Sequence, residues 1–216
     1  MISYRARRLK SCDYCTEWWS GGQTTELSIE PDEASYKNRK FLWRISSASV
    51  ELEKSTFTSL PDYDRVIMTL KGELQLSHDR RTWRSLKAYE PYFFDGGLFT
   101  ESRGQVTDFN LMMRKGDCTG FVRALKIGSQ EQKQKNLISF EEFWQALGPR
   151  PADTLLFYCI EGLADARLEQ GRVELQAGES LRLDRMDNLP YQEENGTILS
   201  LSGEAVLAAA AICREI

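Results

Sequence analysis

Residues 105–116, QVTDFNLMMRKG, carry ligand-binding types of side chain at alternate positions. Successive side chains of a β-strand point to opposite faces of the sheet. A strand here would place an acid, an amide and a base on one face, namely Asp108, Asn110 and Arg114, and mostly apolar residues on the other. If the polar face meets water, the pattern is ordinary. If it faces the interior of a barrel, it forms a site.

The sequence contains few histidine and cysteine residues, which are the types that bind zinc-like metal ions. It has one histidine, His78, and five cysteines, whereas protein metal centres of the zinc type use several such ligands. Cys12 and Cys15 form a CxxC pair, but no second pair or histidine cluster completes a zinc site. No GxSxG motif accompanies His78, so a Ser-His-Asp triad is not indicated. We expect no metal and no cofactor, bystander thiols and a surface histidine.

The composition is that of a globular protein. The 216 residues, 41% hydrophobic and 28% charged, suit one large all-β unit or two small domains. A net charge of −4 argues against binding to nucleic acid or to an acidic membrane surface. No apolar run approaches membrane-spanning length, and the first ten residues lack the apolar segment of a signal peptide. We predict a cytoplasmic protein with no membrane or nucleic-acid partner.

Most of the chain has the pattern of short strands separated by turns. FLWRISSASVEL (41–52) alternates and places Arg44 and Ser46 on one face, and Gly72 interrupts an apolar strand as at a bend. Closely spaced strands favour a sandwich or barrel. A capping box of Ser139 and Glu142 predicts one helix, at 140–147. The tail AVLAAAAICREI is compatible with a helix or a final strand.

An internal repeat is present. LKAYEPYFFD (86–95) and LQAGESLRLD (175–184) share Leu, Ala, Glu and Asp in register. Upstream of each lies an apolar strand that ends in glycine, VIMTLKG and LLFYCIEG. Two copies of one small β-barrel would produce this pattern.

Five blocks resemble, in order and spacing, the signature of the HutD/Ves family: WSGGQTTELSI (19–29), FLWRISSASVE (41–51), FTSLPDYDRVIMTLKGELQL (57–76), YFFDGG (92–97) and TDFNLMMRKG (107–116). The resemblance implies an all-β bicupin fold with two tandem cupin-like barrels or jelly rolls. Residues 1–128 would form the N-terminal barrel, 129–150 a polar connector with a short helix, and 151–216 the C-terminal barrel, completed by strands exchanged from the N-terminal region.

The resemblance implies a function only in outline. Some members of the family are encoded beside histidine-utilisation genes and are thought to regulate that pathway, but their molecular activity is not established. Metal-binding cupins carry an HxH-type cluster, whereas this chain has GELQLSHDRR around Gly72. We therefore expect neither barrel to hold the usual cupin metal.

The family blocks contain the candidate site residues. If their faces point into a barrel, Arg44 and Arg65 would clamp a carboxylate with their planar forks. Six further side chains would support or line the site: Ser46, Asp108, Asn110 and Arg114 in the strands, and Thr24 and Glu26 near a barrel mouth. The same groups could instead bridge strands structurally, and the sequence leaves both interpretations open.

Three functions fit these residues. The leading hypothesis is a metal-free protein that binds a small anionic metabolite, a carboxylate, with a regulatory role in amino-acid (histidine) catabolism by family resemblance. The second is a metal-independent isomerase or hydrolase with Asp108 or Glu26 as base, ranked lower because no paired carboxylates occur at a diagnostic spacing. The third is an interaction module without a pocket. A homodimer is compatible with each.

Overall fold

The computed structural model describes residues 4–128, 152–168, 171–186 and 199–215. The predicted connector and helix at 129–150 lie outside these residues. The described chain is almost entirely β-structure, with 3₁₀ helices at Ser11–Asp13 and Tyr36–Asn38. Its strands, in chain order, are β1 (Tyr4–Leu9), β2 (Cys15–Trp19), β3 (Gly22–Glu30), β4 (Trp43–Val50), β5 (Lys54–Thr56), β6 (Tyr63–Lys71), β7 (Leu74–Ser77), β8 (Arg84–Leu86), β9 (Pro91–Asp95), β10 (Glu101–Arg103), β11 (Val106–Arg114), β12 (Cys118–Ile127), β13 (Thr154–Leu168), β14 (Gly171–Gln176), β15 (Ser180–Arg185) and β16 (Leu199–Arg214).

The chain divides into two compact units. Unit 1 comprises Met1–Cys12 with Ala124–Cys213, and unit 2 comprises Asp13–Arg123 with Arg214–Ile216. Unit 1 contains a six-stranded sheet of order β1-β15-β13-β16-β12, with β14 paired to β13. The C-terminal tail, which the sequence left open between helix and strand, belongs to β16.

Unit 2 consists of two sheets that pack face to face. The larger has the order β2-β3-β4-β11-β6-β9 and the smaller β5-β10-β7-β8. Residues of both sheets form the core between them: Ile67, Leu74, Leu76, Leu86, Phe94 and Val106. We call the face of the larger sheet that carries Ile67 and Phe94 the inner face.

Of the two predicted alternatives, barrel and jelly roll, the described strands of unit 2 do not form a closed barrel, because each sheet keeps two edge strands. The reason lies at a corner where the chain changes sheet twice. Gly72 follows β6 with φ +87°, and Gly104 precedes β11 with φ +117°. A Cβ on Gly72 would lie 2.4 Å from the Gln105 carbonyl oxygen, and one on Gly104 would lie 2.1 Å from that of Glu73. The two glycines let the strands turn sharply into a separate sheet.

The sequence repeat is also a repeat of strand pairing. In unit 2, β6 lies between β9 and β11, and in unit 1, β13 lies between β15 and β16. Asp64 is opposite Asp95 in the first case, and Thr154 is opposite Asp184 in the second. The two aspartates are the ones that the sequence repeat aligns, so β6 and β13 hold corresponding positions.

Candidate functional site

Polar side chains cross the inner face of the larger sheet of unit 2. Residues directly opposite one another in antiparallel strands share a face. Ser46 on β4 is opposite both Glu26 on β3 and Asn110 on β11, and Asn110 is opposite Ile67 on β6. Since Ile67 belongs to the core between the sheets, these side chains lie on the inner face.

The two predicted clamp residues also lie on this face. Met112 on β11 is opposite Arg44 on one side and Arg65 on the other. Each arginine is only 6% exposed, and Asp108 is 5% exposed. The polar face of residues 105–116 therefore turns away from water. We call the following residues the polar band: Glu26, Arg44, Ser46, Arg65, Thr69, Asp108 and Asn110.

Arg44 is held by its neighbours. Its Nε donates to Glu26 Oε2 at 2.6 Å, and its Nη1 donates to Ser46 Oγ at 3.0 Å. Its guanidinium carbon lies 4.6 Å from the centre of the Tyr36 ring. The carboxylate of Glu26 offsets the charge of Arg44, so this pair is already formed without a ligand.

Arg65 is buried without comparable partners. The structure shows no hydrogen bond from its guanidinium to another described residue, and its Nε is buried with no acceptor. Its guanidinium carbon lies 4.7 Å from the Phe57 ring centre and 5.3 Å from that of Phe94. Burial lowers the pKa of Arg65 to about 10, which leaves it charged at neutral pH. This arrangement is costly, because the Nε donor of a charged group has lost water and gained no acceptor.

Three further oxygen atoms of the polar band are unpaired as well. Asp108 Oδ1, Asn110 Oδ1 and Thr69 Oγ1 are buried without a hydrogen-bond partner in the part of the chain that the structure describes. Asp108 and Thr69 are directly opposite each other. Native proteins pair nearly all buried polar atoms, so such a group on one face is typical of a place where another molecule binds.

Asp108 titrates unusually. Burial raises the pKa of its carboxyl group to about 7, although the charge of Arg65 and a hydrogen bond from the Ala48 backbone act in the opposite direction. Both protonation states of Asp108 are therefore populated at neutral pH.

The segment before β4 contributes residues that the sequence did not single out. The Tyr36 ring centre lies 3.8 Å from the guanidinium carbon of Arg39. Burial acts to raise the pKa of Tyr36, but hydrogen bonds with Arg39 and Thr58 and the charges of Arg39 and Arg65 lower it overall. These contacts join residues from separate loops, which strand alternation cannot reveal. The only signal was the density of Tyr and basic residues in SYKNRK.

Arg114 lies at the end of β11 and binds this segment. Its Nε donates to the Phe41 carbonyl oxygen at 3.2 Å, and its Nη2 donates to the Arg39 carbonyl oxygen at 2.7 Å and to Tyr63 Oη at 2.6 Å. Its donors are thus engaged with the segment that carries Arg39 and Tyr36. Arg114 positions this segment.

Thr24 shares the inner face but shows no hydrogen bond to the polar band. It is half-buried on β3, opposite Ala48. The block WSGGQTTE, considered as a loop over a barrel mouth or as a turn, forms the β2–β3 hairpin with Trp19 opposite Gly22. Of its two candidate site residues, only Glu26 makes a contact within the polar band.

The single histidine is half-buried. His78 Nδ1 lies 2.9 Å from Thr100 Oγ1, and its Nε2 lies 3.0 Å from Tyr92 Oη. Within the described ranges, no group of three or more His, Cys, Asp or Glu side chains is arranged to hold a metal ion. No described helix has the length and apolar character needed to cross a membrane.

The corresponding positions of unit 1 are apolar. The pairing register matches Arg65, Thr69, Asp108 and Asn110 of unit 2 with Leu155, Cys159, Leu207 and Ala209 of unit 1. These four unit 1 residues are completely buried. The same strand arrangement therefore forms with apolar side chains at every one of these positions.

Comparison with known proteins identifies the family. The HutD family profile matches residues 11–200. The structure is similar to a conserved protein of unknown function from Pseudomonas aeruginosa PAO1, with a TM-score of 0.73 and 20% identity over 97% of this chain and 99% of that one. It is also similar to HutD from Pseudomonas fluorescens SBW25, with a TM-score of 0.67 and 19% identity over 98% and 100% of the two chains.

More distant structures share the fold. Protein Ylba from Escherichia coli has a TM-score of 0.60 at 8% identity, over 98% of this chain and 92% of that one. The comparison with curated proteins gave no match. These structural similarities show a cupin-like all-β fold. Because the family profile covers most of the sequence, the chain belongs to the HutD family.

Proposed function

We propose that the polar band of unit 2 binds a small anionic metabolite, a carboxylate, and that the protein acts as a regulator in amino-acid catabolism without a metal or cofactor. The observation that carries the proposal is Arg65, a buried guanidinium with no hydrogen-bond acceptor among the described residues. A carboxylate would satisfy its donors in the bidentate geometry that arginine favours.

The two clamp residues have different roles in this proposal. Arg44 is committed to Glu26 and Ser46, so it contributes mainly a fixed positive field. Arg65 is the principal donor of hydrogen bonds to the anion. Arg39 adds a third positive charge close enough to affect the pKa of Arg65. Glu26 and a partly ionised Asp108 offset part of these three positive charges. The polar band together with Arg39 therefore carries a net positive charge.

The apolar equivalents in unit 1 favour a site over a structural network. If the fold needed a polar bridge between the central strands, Leu155 and Leu207 would not serve in the corresponding strands. We further propose that the two units are the two halves of a bicupin and that only unit 2 carries the anion site.

A thermal-shift screen tests the proposal. One similar structure, HutD from Pseudomonas fluorescens, is described for a formate condition, and formate is the smallest carboxylate. Formate, acetate, malonate and succinate should be compared at constant ionic strength. At a concentration of 100 times Kd, a true ligand stabilises the protein by about 2.7 kcal/mol. Arg65→Leu should remove this stabilisation, and Arg84→Leu, at an exposed arginine, should retain it. If no carboxylate stabilises the wild-type protein, the proposal fails.

A second function is favoured by Asp108. A general base works best with a pKa near the operating pH, and the pKa of Asp108 is about 7. Glu26, the other candidate base, is bound to Arg44. A metal-independent enzyme of this kind would remove a proton from the carbon next to a carboxylate. Proton NMR in D2O would detect the exchange of that proton in acetate, malonate and succinate. Exchange catalysed by the wild-type protein in the presence of a chelator, and lost in Asp108→Asn, would establish it.

A further inference from the structure

We propose that the anion binds together with one proton, with Asp108 in its acid form donating a hydrogen bond to an oxygen atom of the ligand. This inference rests on the proposed function, since it concerns how the polar band accepts an anion. It goes beyond that function by making binding depend on proton uptake and by giving Asp108 the role of a donor.

The unpaired atoms of the polar band differ in their hydrogen-bonding capacities. Arg65 Nε is a donor, and Thr69 Oγ1 is able to donate. Asp108 Oδ1, by contrast, only accepts when the carboxyl group is ionised. An anion beside an ionised Asp108 would place two acceptors and two negative charges next to each other, without water between them. Protonation of Asp108 replaces this repulsion by a donated hydrogen bond.

The surroundings of Asp108 allow this role. The hydroxyl group of Ser47 on β4 donates a hydrogen bond to the backbone carbonyl oxygen of Asp108, at 2.7 Å. It therefore does not donate to the Asp108 carboxyl group. Thr69 lies directly opposite on β6 and makes no hydrogen bond to Asp108. Asp108 Oδ1 is thus buried and has no hydrogen-bond partner among the described residues, and the charge of Arg65 acts on its carboxyl group.

The charged and titratable groups around Asp108 come from several elements. The positive charge of Arg65 on β6 acts to lower the pKa of Asp108. The four-stranded sheet faces this region with the leucines of the core, Leu74 and Leu76. Among the described residues, the remaining charged or titratable groups of this face are Arg44 on β4, Glu26 on β3, Tyr36 and Arg39 from the segment before β4, and Tyr92 on β9 with its neighbour His78. Of these, Asp108 is the acid whose pKa of about 7 lets it change charge at neutral pH.

The proton comes from bulk water and is returned when the ligand leaves. With a pKa of about 7 in the free protein, acetate binding should take up about half a proton at pH 7 and about nine tenths at pH 8. Acetate itself remains ionised throughout this range. Its affinity should therefore fall about tenfold for each pH unit above 8.

The test is an acetate titration from pH 6 to 9 at constant ionic strength, followed by tryptophan fluorescence or thermal shift. The wild-type protein should show the tenfold slope. Asp108→Asn, which keeps an N–H donor and does not titrate, should bind with a flat profile. Asp64→Asn is the matched control, because Asp64 is an acid on β6 next to Arg65 but on the opposite face. It should keep the wild-type slope.

A direct measurement does not depend on the variant. The 13C carboxyl resonance of Asp108 reports its protonation, and saturating acetate should move its titration to higher pH. Acetate binding with a flat pH profile, or with an unchanged Asp108 titration, overturns this inference and leaves the proposed function intact. If none of formate, acetate, malonate and succinate binds at any pH, the proposed carboxylate site itself fails.

Discussion

Asp108 on β11 lies directly opposite Thr69 on β6, and neither Asp108 Oδ1 nor Thr69 Oγ1 has a hydrogen-bond partner among the described residues. Two adjacent groups that are able to bond to each other, and do not, are both available to a third molecule. In unit 1 the corresponding pair is Leu207 opposite Cys159, both fully buried. The contrast indicates that the polar pair costs stability.

Replacing Arg65 by leucine, the residue at the corresponding position Leu155, should not destabilise the ligand-free protein. An unpaired buried charge is unfavourable, so its removal should leave the free energy of unfolding unchanged or raise it by about 1 kcal/mol or more. Urea denaturation monitored by tryptophan fluorescence measures this change. Arg44→Leu is the control and should lose about 2 kcal/mol, because it leaves the Glu26 carboxylate without its partner. A loss above about 3 kcal/mol for Arg65→Leu would show that Arg65 is structural.

Stability should depend on pH through Asp108 in the absence of ligand. Its folded-state pKa is about 7, raised from 3.8, so the folded protein holds a proton that the unfolded chain releases. The resulting contribution to stability is fully present below about pH 4 and is lost as the pH rises through 7. Denaturation curves at several pH values should show this trend as a difference between the wild-type protein and Asp108→Asn. A difference that grows as the pH falls from 7 to 4 is expected, and a constant difference would contradict the raised pKa.

Arg114→Met should loosen the segment that carries Tyr36 and Arg39. The variant loses hydrogen bonds to two backbone carbonyl groups and to Tyr63, at a cost of about 2–3 kcal/mol. Hydrogen exchange at the amides of residues 39–42 should become faster, and carboxylate affinity should fall although Arg65 is intact. Lys115→Met removes a more exposed neighbour and should cost at most about 1 kcal/mol. Equal effects of the two variants would argue against the positioning role.

Gly72→Ala should be far more damaging than Gly116→Ala. Both glycines have a positive φ, +87° and +77°, so both substitutions introduce backbone strain. A Cβ at Gly72 would also lie 2.4 Å from a carbonyl oxygen, whereas one at Gly116 meets nothing within 4 Å. We expect a loss of about 1 kcal/mol at Gly116 and of about 3 kcal/mol or more at Gly72. Thermal denaturation of the two variants provides the comparison, and similar melting temperatures would show that the corner is not tightly packed.

Part of this architecture follows from local patterns. The alternation of FLWRISSASVEL and QVTDFNLMMRKG indicates which side chains share a face, and the structure has Arg44 with Ser46, and Asp108 with Asn110, on one face. Gly72 breaks the apolar strand where the sequence indicates a bend. The sequence did not decide between a barrel and separate sheets, because the number of sheets depends on how the strands pair after the corner at Gly72 and Gly104. Tyr36 and Arg39 were missed, since no strand period places a loop against a sheet.

The sequence by itself determined which residues lie together on each strand, since a period of two is a local property of extended backbone. It could not determine which face is inside. Both faces of β11 are buried. Phe109 and Leu111 on one face are completely inaccessible to solvent, and Asp108 and Asn110 on the other face are nearly so. The pairing register of the tertiary structure decided which face is inside. It places Ser46 opposite Glu26 and Asn110, which come from distant parts of the chain. The tertiary structure also decided that Arg44 has a carboxylate partner and that Arg65 has none among the described residues, because only three-dimensional packing brings the Glu26 carboxylate to Arg44 and the rings of Phe57 and Phe94 to Arg65.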